Sequence, residues 1–262
     1  MVKIAPSILN TVIARSGSRR LQPAQVTKQS HSVKIAPSVL SCDFTKLGKQ
    51  IDEVIRAGAD LVHLDIMDGH FVPNISFGPG VVSTLTRRFR IPMEAHLMVE
   101  EPGMFIRPFF KAGVSRIIIH RESVPNPGPL LGEIRALGIS AGLSINPGTP
   151  LSGIYPYLGE IDLALLMSVN PGYGGQKFIA GTLEKIKCLR QTLDRKGSDV
   201  EIEVDGGINI TTGRRAVRAG ATILVIGAYL FGSSKPGETL KELRRAIGGK
   251  KYGTHQIKKN RR

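Results

Sequence analysis

Residues 60 to 70 read Asp60-Leu61-Val62-His63-Leu64-Asp65-Ile66-Met67-Asp68-Gly69-His70. Successive side chains of a strand point to opposite faces, so His63, Asp65 and Met67 share one face of this run while Val62, Leu64 and Ile66 share the other. The aliphatic face suits a packed core. The opposite face carries an imidazole and a carboxylate two residues apart. At the end of a strand such a pair can hold one metal ion from the same side, provided that the chain brings further ligands to it.

The same texture recurs outward from this run. Short β-rich segments fall at about 34 to 40, 60 to 67, 92 to 99, 115 to 120, 139 to 145, 161 to 169, 200 to 205 and 222 to 227, with helical patterns between them. Four of those patterns close on a glycine just ahead of the next strand, at Gly58, Gly113, Gly138 and Gly220, where a left-handed C-cap is expected. Eight strands alternating with eight helices predict an α/β fold, a TIM-type (β/α)8 barrel, with an open doubly wound sheet as the competing arrangement. The open sheet is weakened by the lack of a glycine-rich phosphate fingerprint after the first strand.

In a barrel, function collects where strands end and βα loops begin. The segment Met93-Glu94-Ala95-His96-Leu97-Met98 places Glu94, His96 and Met98 on one face, and Glu201-Ile202-Glu203-Val204-Asp205 places its three acids on one face. Aliphatic faces pack outward on helices, so the charged faces point inward, where unpaired charge is costly. A metal ion held by His63, Asp65, His96 and Asp205 resolves that cost. Glycine clusters follow the last three strands: Gly172, Gly174 and Gly175, then Gly206 and Gly207, then Gly227 beside Ala228. Glycine lets backbone N–H groups approach a phosphate closely, and the last βα loops are the usual phosphate site of such barrels. A phosphorylated substrate is therefore expected.

Net charge is +15, but it sits at the ends. Residues 1 to 42 hold six Lys or Arg and residues 250 to 262 six more, with no acid in either; taking these from 36 basic residues leaves 24 against 21 acids in the body. Basic tails can bind nucleic acid or an anionic membrane, but solvated tails are the commoner cause, and neither partner is expected. No apolar run approaches the roughly 20 residues of a membrane span. Cys42 and Cys188 have no metal or redox spacing and fit a reducing compartment. We divide the chain into a basic extension at 1–32, a catalytic domain at 33–247 and a basic tail at 248–262. The extension contains a near-copy of the first strand, Val2-Lys3-Ile4-Ala5-Pro6-Ser7 against Val33-Lys34-Ile35-Ala36-Pro37-Ser38; the second copy leads into an amphipathic helix at Phe44 to Ala57 and is the expected working strand. The location expected is cytoplasmic, with organelle targeting by residues 1–32 as the alternative.

Five motifs resemble those of the ribulose-phosphate 3-epimerases: Ala36-Pro37-Ser38; His63 through Asn74; His96-Leu97-Met98; Met167 through Gln176, with Asn170-Pro171-Gly172-Tyr173-Gly174-Gly175-Gln176 inside it; and Glu203-Val204-Asp205-Gly206-Gly207-Ile208. The resemblance spans roughly residues 33 to 247. It implies a TIM barrel, a homo-oligomer, one divalent metal ion (Zn, Fe(II), Mn or Co), and interconversion of D-ribulose 5-phosphate and D-xylulose 5-phosphate in the pentose phosphate pathway. It also implies roles. Asp65 and Asp205 are the two acid/base groups, and the metal on His63, Asp65, His96 and Asp205 polarises the carbonyl and stabilises an enediolate. Ser38, His96, Met67, Met98 and Met167 contact substrate, and the loop Gly172 to Gln176 covers it. Two departures stand out. Ala228 replaces an expected serine, removing a hydroxyl from the phosphate contacts, and Arg121 replaces a smaller residue at the mouth. A sister epimerase of D-allulose 6-phosphate shares barrel, metal and acids and is the nearest competing activity.

Overall fold

A computed structural model describes residues 33 to 248. The near-copy of the first strand, the rest of the 1–32 extension and residues 249 to 262 lie outside the described residues. Eight parallel strands form one sheet: β1 (Lys34–Pro37), β2 (Val62–Met67), β3 (Met93–Met98), β4 (Arg116–His120), β5 (Ser140–Ile145), β6 (Leu163–Met167), β7 (Glu201–Asp205) and β8 (Ile223–Ile226). Their hydrogen-bonded order is β1-β8-β7-β6-β5-β4-β3-β2. The remaining seam, between β1 and β2, is closed by a parallel bridge at Ser38 and His63 and by the Asp60 N–H donating to Ile35 O at 3.1 Å. Asp60 also accepts the Ile35 N–H on Oδ2 at 2.7 Å, and Arg244 grips the same oxygen at 2.5 Å. The fold is the (β/α)8 barrel.

The helices are α1 (Leu47–Arg56), α2 (Pro79–Arg88), α3 (Gly103–Lys111), α4 (Gly128–Ala136), α5 (Thr182–Lys196), α6 (Ile210–Ala219), α7 (Ala228–Phe231) and α8 (Pro236–Ala246). The expected strict alternation is broken once. Between β5 and β6 the chain makes two short 3-10 turns, Leu151–Gly153 and Tyr155–Tyr157, in place of an α-helix. The expected helix at Phe44 to Ala57 opens with its own 3-10 turn, Phe44–Lys46, before α1. The four glycines expected to end helices all have positive φ, from 78° to 119°.

Alternation along the strands separates two cores. Ile35, Leu64, Leu97, Ile117, Ile119 and Val204 face the helices and are fully buried there. Inside the barrel Ala36, Ile118, Leu163, Leu165, Ile223 and Val225 form an apolar cluster on one side. The other side is ionic. Arg116, near the start of β4, donates to Glu94 Oε2 at 2.9 Å and to Glu201 Oε2 at 2.6 Å, and Lys34 meets Glu201 Oε1 at 2.5 Å. Part of the inward charge expected to need a metal is thus balanced by two basic side chains at the floor.

Candidate functional site

At the opposite end of the strands β2 delivers His63 and Asp65, β3 His96 and β7 Asp205. One donor atom from each of these four residues lies within 4.8 Å of all the others. His63 Nε2 is 3.2 Å from His96 Nδ1, and Asp65 Oδ1 is 3.3 Å from the first and 3.1 Å from the second. The far side of each ring is already engaged. His63 Nδ1 lies 2.9 Å from Glu94 Oε1 and 3.1 Å from Glu203 Oε1, and His96 Nε2 lies 2.8 Å from His120 Nε2. Both rings are wholly buried, and their remaining nitrogens face each other and Asp65, with Asp205 within 4.8 Å.

The electrostatics fit a cation at that point. Burial opposes ionisation of Asp65, yet His63 and the hydrogen bonds from His63 and His96 hold its carboxyl well below the usual range. For Asp205 burial and the neighbouring Asp65 charge act together and push the carboxyl up to about 7. Burial holds His96 down at about 4, whereas His63, despite burial, is raised by Asp65, Glu203 and Glu94. Beneath them Glu203 is lifted to about 8 by burial and Glu94, while Glu94 is lowered to about 2 by His63 and Arg116 against its burial. Two carboxylates crowded together, with two imidazole nitrogens facing them, make a donor set that suits a divalent cation of the Zn, Fe(II), Mn or Co type.

A cavity of about 320 Å³ opens over this cluster. Asp65, Asp205 and Ser38 reach it from below, and Met67, Met98 and Met167 stand around it. Gly172, Gly174 and Gly175 border it on one side, and Gly206, Gly207, Gly227 and Ala228 on another. His96, expected to contact substrate, is fully buried and does not line the cavity; its Nδ1 faces Asp65 and His63. Ser38 lines the cavity, but its hydroxyl donates to Asp65 Oδ2 at 2.6 Å and so steadies that carboxylate. Arg121 lies away from the cavity wall, its guanidinium donating to the Val124 carbonyl at 2.7 Å.

Backbone geometry explains the glycines. Gly207 has φ of 63°, and a Cβ there would sit 2.5 Å from the Phe178 backbone nitrogen. At Gly227 a Cβ would meet the Ser41 hydroxyl at 2.8 Å, so Ser41 presses its Oγ against the same wall from the first βα loop. The loop expected to cover the site is tied across the mouth. Asn74 donates to the Gly172 carbonyl at 2.8 Å and the Tyr173 hydroxyl to the Pro73 carbonyl at 2.7 Å.

Four participants are not singled out by the sequence: Arg116, His120, Glu122 and Ser41. For His120 a signal exists, since it closes β4 on the same face as Arg116 and Ile118, as His96 stands near the end of β3.

Comparison with known proteins agrees with this geometry. The family model described as the Ribulose-phosphate 3 epimerase family matches residues 34–231. A ribulose-phosphate 3-epimerase of Bacillus subtilis (strain 168) is 44% identical over 213 residues, covering 81% of this chain and 98% of the relative. The cytoplasmic isoform of Oryza sativa subsp. japonica is 41% identical over 222 residues, 83% of this chain and 96% of the relative. Among solved structures, KGPDC from Streptococcus mutans superposes with a TM-score of 0.63 at 12% identity, over 82% of this chain and 97% of that one, a likeness of fold alone. An enzyme of the isomerase class, the chain belongs to the ribulose-phosphate 3-epimerase family.

Proposed function

We propose that the protein inverts C3 of D-ribulose 5-phosphate to give D-xylulose 5-phosphate, with Asp65 and Asp205 as the two acid/base groups and His63, Asp65, His96 and Asp205 holding one divalent cation. The observation that carries this reading is the arrival of two carboxylates in one cavity from β2 and β7, strands separated in the barrel by β1 and β8. Inversion at a carbon next to a carbonyl needs a proton taken from one face and another returned to the opposite face, so one acid/base group must stand on each side. When bound, the cation supplies Lewis-acid stabilisation of the negative charge that develops on the carbonyl oxygen.

The remaining steps belong to side chains and backbone. One aspartate removes the C3 proton, and the other delivers a proton to the far face; Ser38 holds Asp65 in place through its 2.6 Å hydrogen bond. The three methionines keep water from the intermediate and present polarizable sulfur to it. The phosphate is received by the backbone N–H groups of the glycine walls, with Ala228 contributing backbone alone. Asn74 and Tyr173 keep the cover loop shut over the sugar. A homo-oligomer belongs to the same proposal.

The test is incubation of purified, metal-loaded protein with D-ribulose 5-phosphate in deuterated water, alongside D-allulose 6-phosphate. Deuterium at C3 together with xylulose 5-phosphate is the expected result. Absence of exchange sinks the proposal, and faster turnover of the hexulose phosphate replaces the substrate.

A further inference from the structure

His120 has no part in the chemistry proposed above, yet it is wholly buried against the metal cluster. Its Nε2 is 2.8 Å from His96 Nε2, the two rings stacked with centroids 4.9 Å apart and planes at 23°. Phe71 covers the ring from another side at 4.7 Å. The second nitrogen, Nδ1, is 3.2 Å from Glu122 Oε2. Glu122 is itself anchored: its other oxygen accepts the Asn146 backbone N–H at 2.7 Å and the Thr149 hydroxyl. That loop is pinned in turn by the Lys185 ammonium, which donates to the carbonyls of Pro147 at 2.6 Å and Thr149 at 2.5 Å. Neither His120 nor Glu122 lines the cavity.

With both imidazoles neutral, donor and acceptor rules leave one arrangement for this chain of groups. A carboxylate only accepts, so Glu122 requires the His120 proton to sit on Nδ1. The His120 Nε2 is then a bare acceptor, and the proton between the two Nε2 atoms must belong to His96. With its proton on Nε2, His96 keeps a free lone pair on Nδ1, the nitrogen that faces Asp65 and His63. We propose that His120 and Glu122 are a positioning relay that fixes the tautomer and ring orientation of His96, making its Nδ1 a ready ligand for a divalent cation. The relay needs no change of charge on either imidazole. It rests on the metal-centre reading above and adds two residues that touch neither substrate nor metal.

The experiment uses Co(II) as the probe, followed by its visible absorption on the full chain, together with nitrogen NMR of the histidine rings in metal-free protein. Wild type is expected to bind Co(II) and to show His96 as the Nε2–H tautomer. Glu122→Ala and His120→Leu are expected to weaken Co(II) binding by about 10- to 100-fold and to lose the single tautomer. His120→Gln, whose side-chain carbonyl can accept from His96, is expected to restore binding to within about threefold of wild type, since loss of one relay atom is then compensated. If His120→Leu does not fold, Glu122→Ala carries the test, because its side chain is only partly enclosed, at 22% exposure. Unaltered Co(II) affinity and an unaltered His96 tautomer in Glu122→Ala overturn the relay while leaving the metal centre standing. Failure of wild type to bind Co(II) overturns the metal centre and the relay with it.

Discussion

Replacing Arg116 by methionine tests how the barrel tolerates three inward acids. The guanidinium is 13% exposed and is the cation shared by Glu94 at 2.9 Å, Glu201 at 2.6 Å and Glu203 at 4.0 Å. Glu201 keeps Lys34 at 2.5 Å in the variant, so its loss is partial. Glu94, wholly buried, loses its nearest permanent positive charge. Removing one partner of a buried ion pair costs about 3 to 5 kcal/mol, and we expect a loss in that range at neutral pH by urea unfolding. Glu94 then gains a raised folded-state pKa, a shift that stabilises the folded form at low pH and is lost as pH rises, so the deficit should be smaller at pH 5 than at pH 8. Adding Glu94→Gln to Arg116→Met should recover at least about 1 kcal/mol, because adjacent charges couple. A single variant that loses under about 1 kcal/mol, or a double variant whose losses simply add, would refute the account of the floor.

Three further outcomes follow from the site. Gly207→Ala places a Cβ 2.5 Å from the Phe178 nitrogen at a positive φ; strain and overpacking together should cost about 2 to 4 kcal/mol, read as a lower melting temperature, and an unchanged melt contradicts the tight approach. Asn74→Ala removes the 2.8 Å tie to Gly172; losing about 1 kcal/mol there should raise KM for the sugar phosphate about fivefold and speed hydrogen exchange across residues 170 to 176, whereas unchanged exchange rules out the tie as the clasp. Glu122, whose carboxyl burial would raise but which the hydrogen bonds from His120, Thr149 and Asn146 bring down to about 2 from 4.5, stabilises the fold above pH 4.5 and loses that contribution as pH falls toward 2. Denaturant unfolding of Glu122→Gln should therefore trail wild type at pH 6, with a gap that narrows below pH 4.5 and closes only near pH 2; a constant gap argues against an ionised Glu122.

The parts of the molecule legible in its sequence are those with a short period. His63 and Asp65 can be assigned to one face, and the acids of β7 to another, because alternation in a strand is local. The step from two such faces to one site needs only the barrel. What escapes reading depends on register between distant strands. Arg116 stands beside Glu94 across β3 and β4, and its link to Glu201 spans 85 positions. His120 closes the run Arg116-Ile117-Ile118-Ile119-His120 and reads as the polar end of an apolar strand until it is placed against His96. Arg121 misleads in the other direction: a large cation in a mouth loop suggests substrate contact, and a hydrogen bond to Val124 three residues on takes its guanidinium elsewhere.

The seam between β1 and β2 has a consequence for biosynthesis. β1 has its continuous ladder with β8, nearly 190 residues later, whereas its union with β2 rests on the Ser38–His63 bridge and on Asp60, which Arg244 of α8 secures. A ribosome must therefore release almost the whole barrel before its first strand has a lasting neighbour. Because His63 is at once the seam residue and one of the four clustered donors, and Asp205 arrives from β7, that cluster is whole only once the barrel has closed.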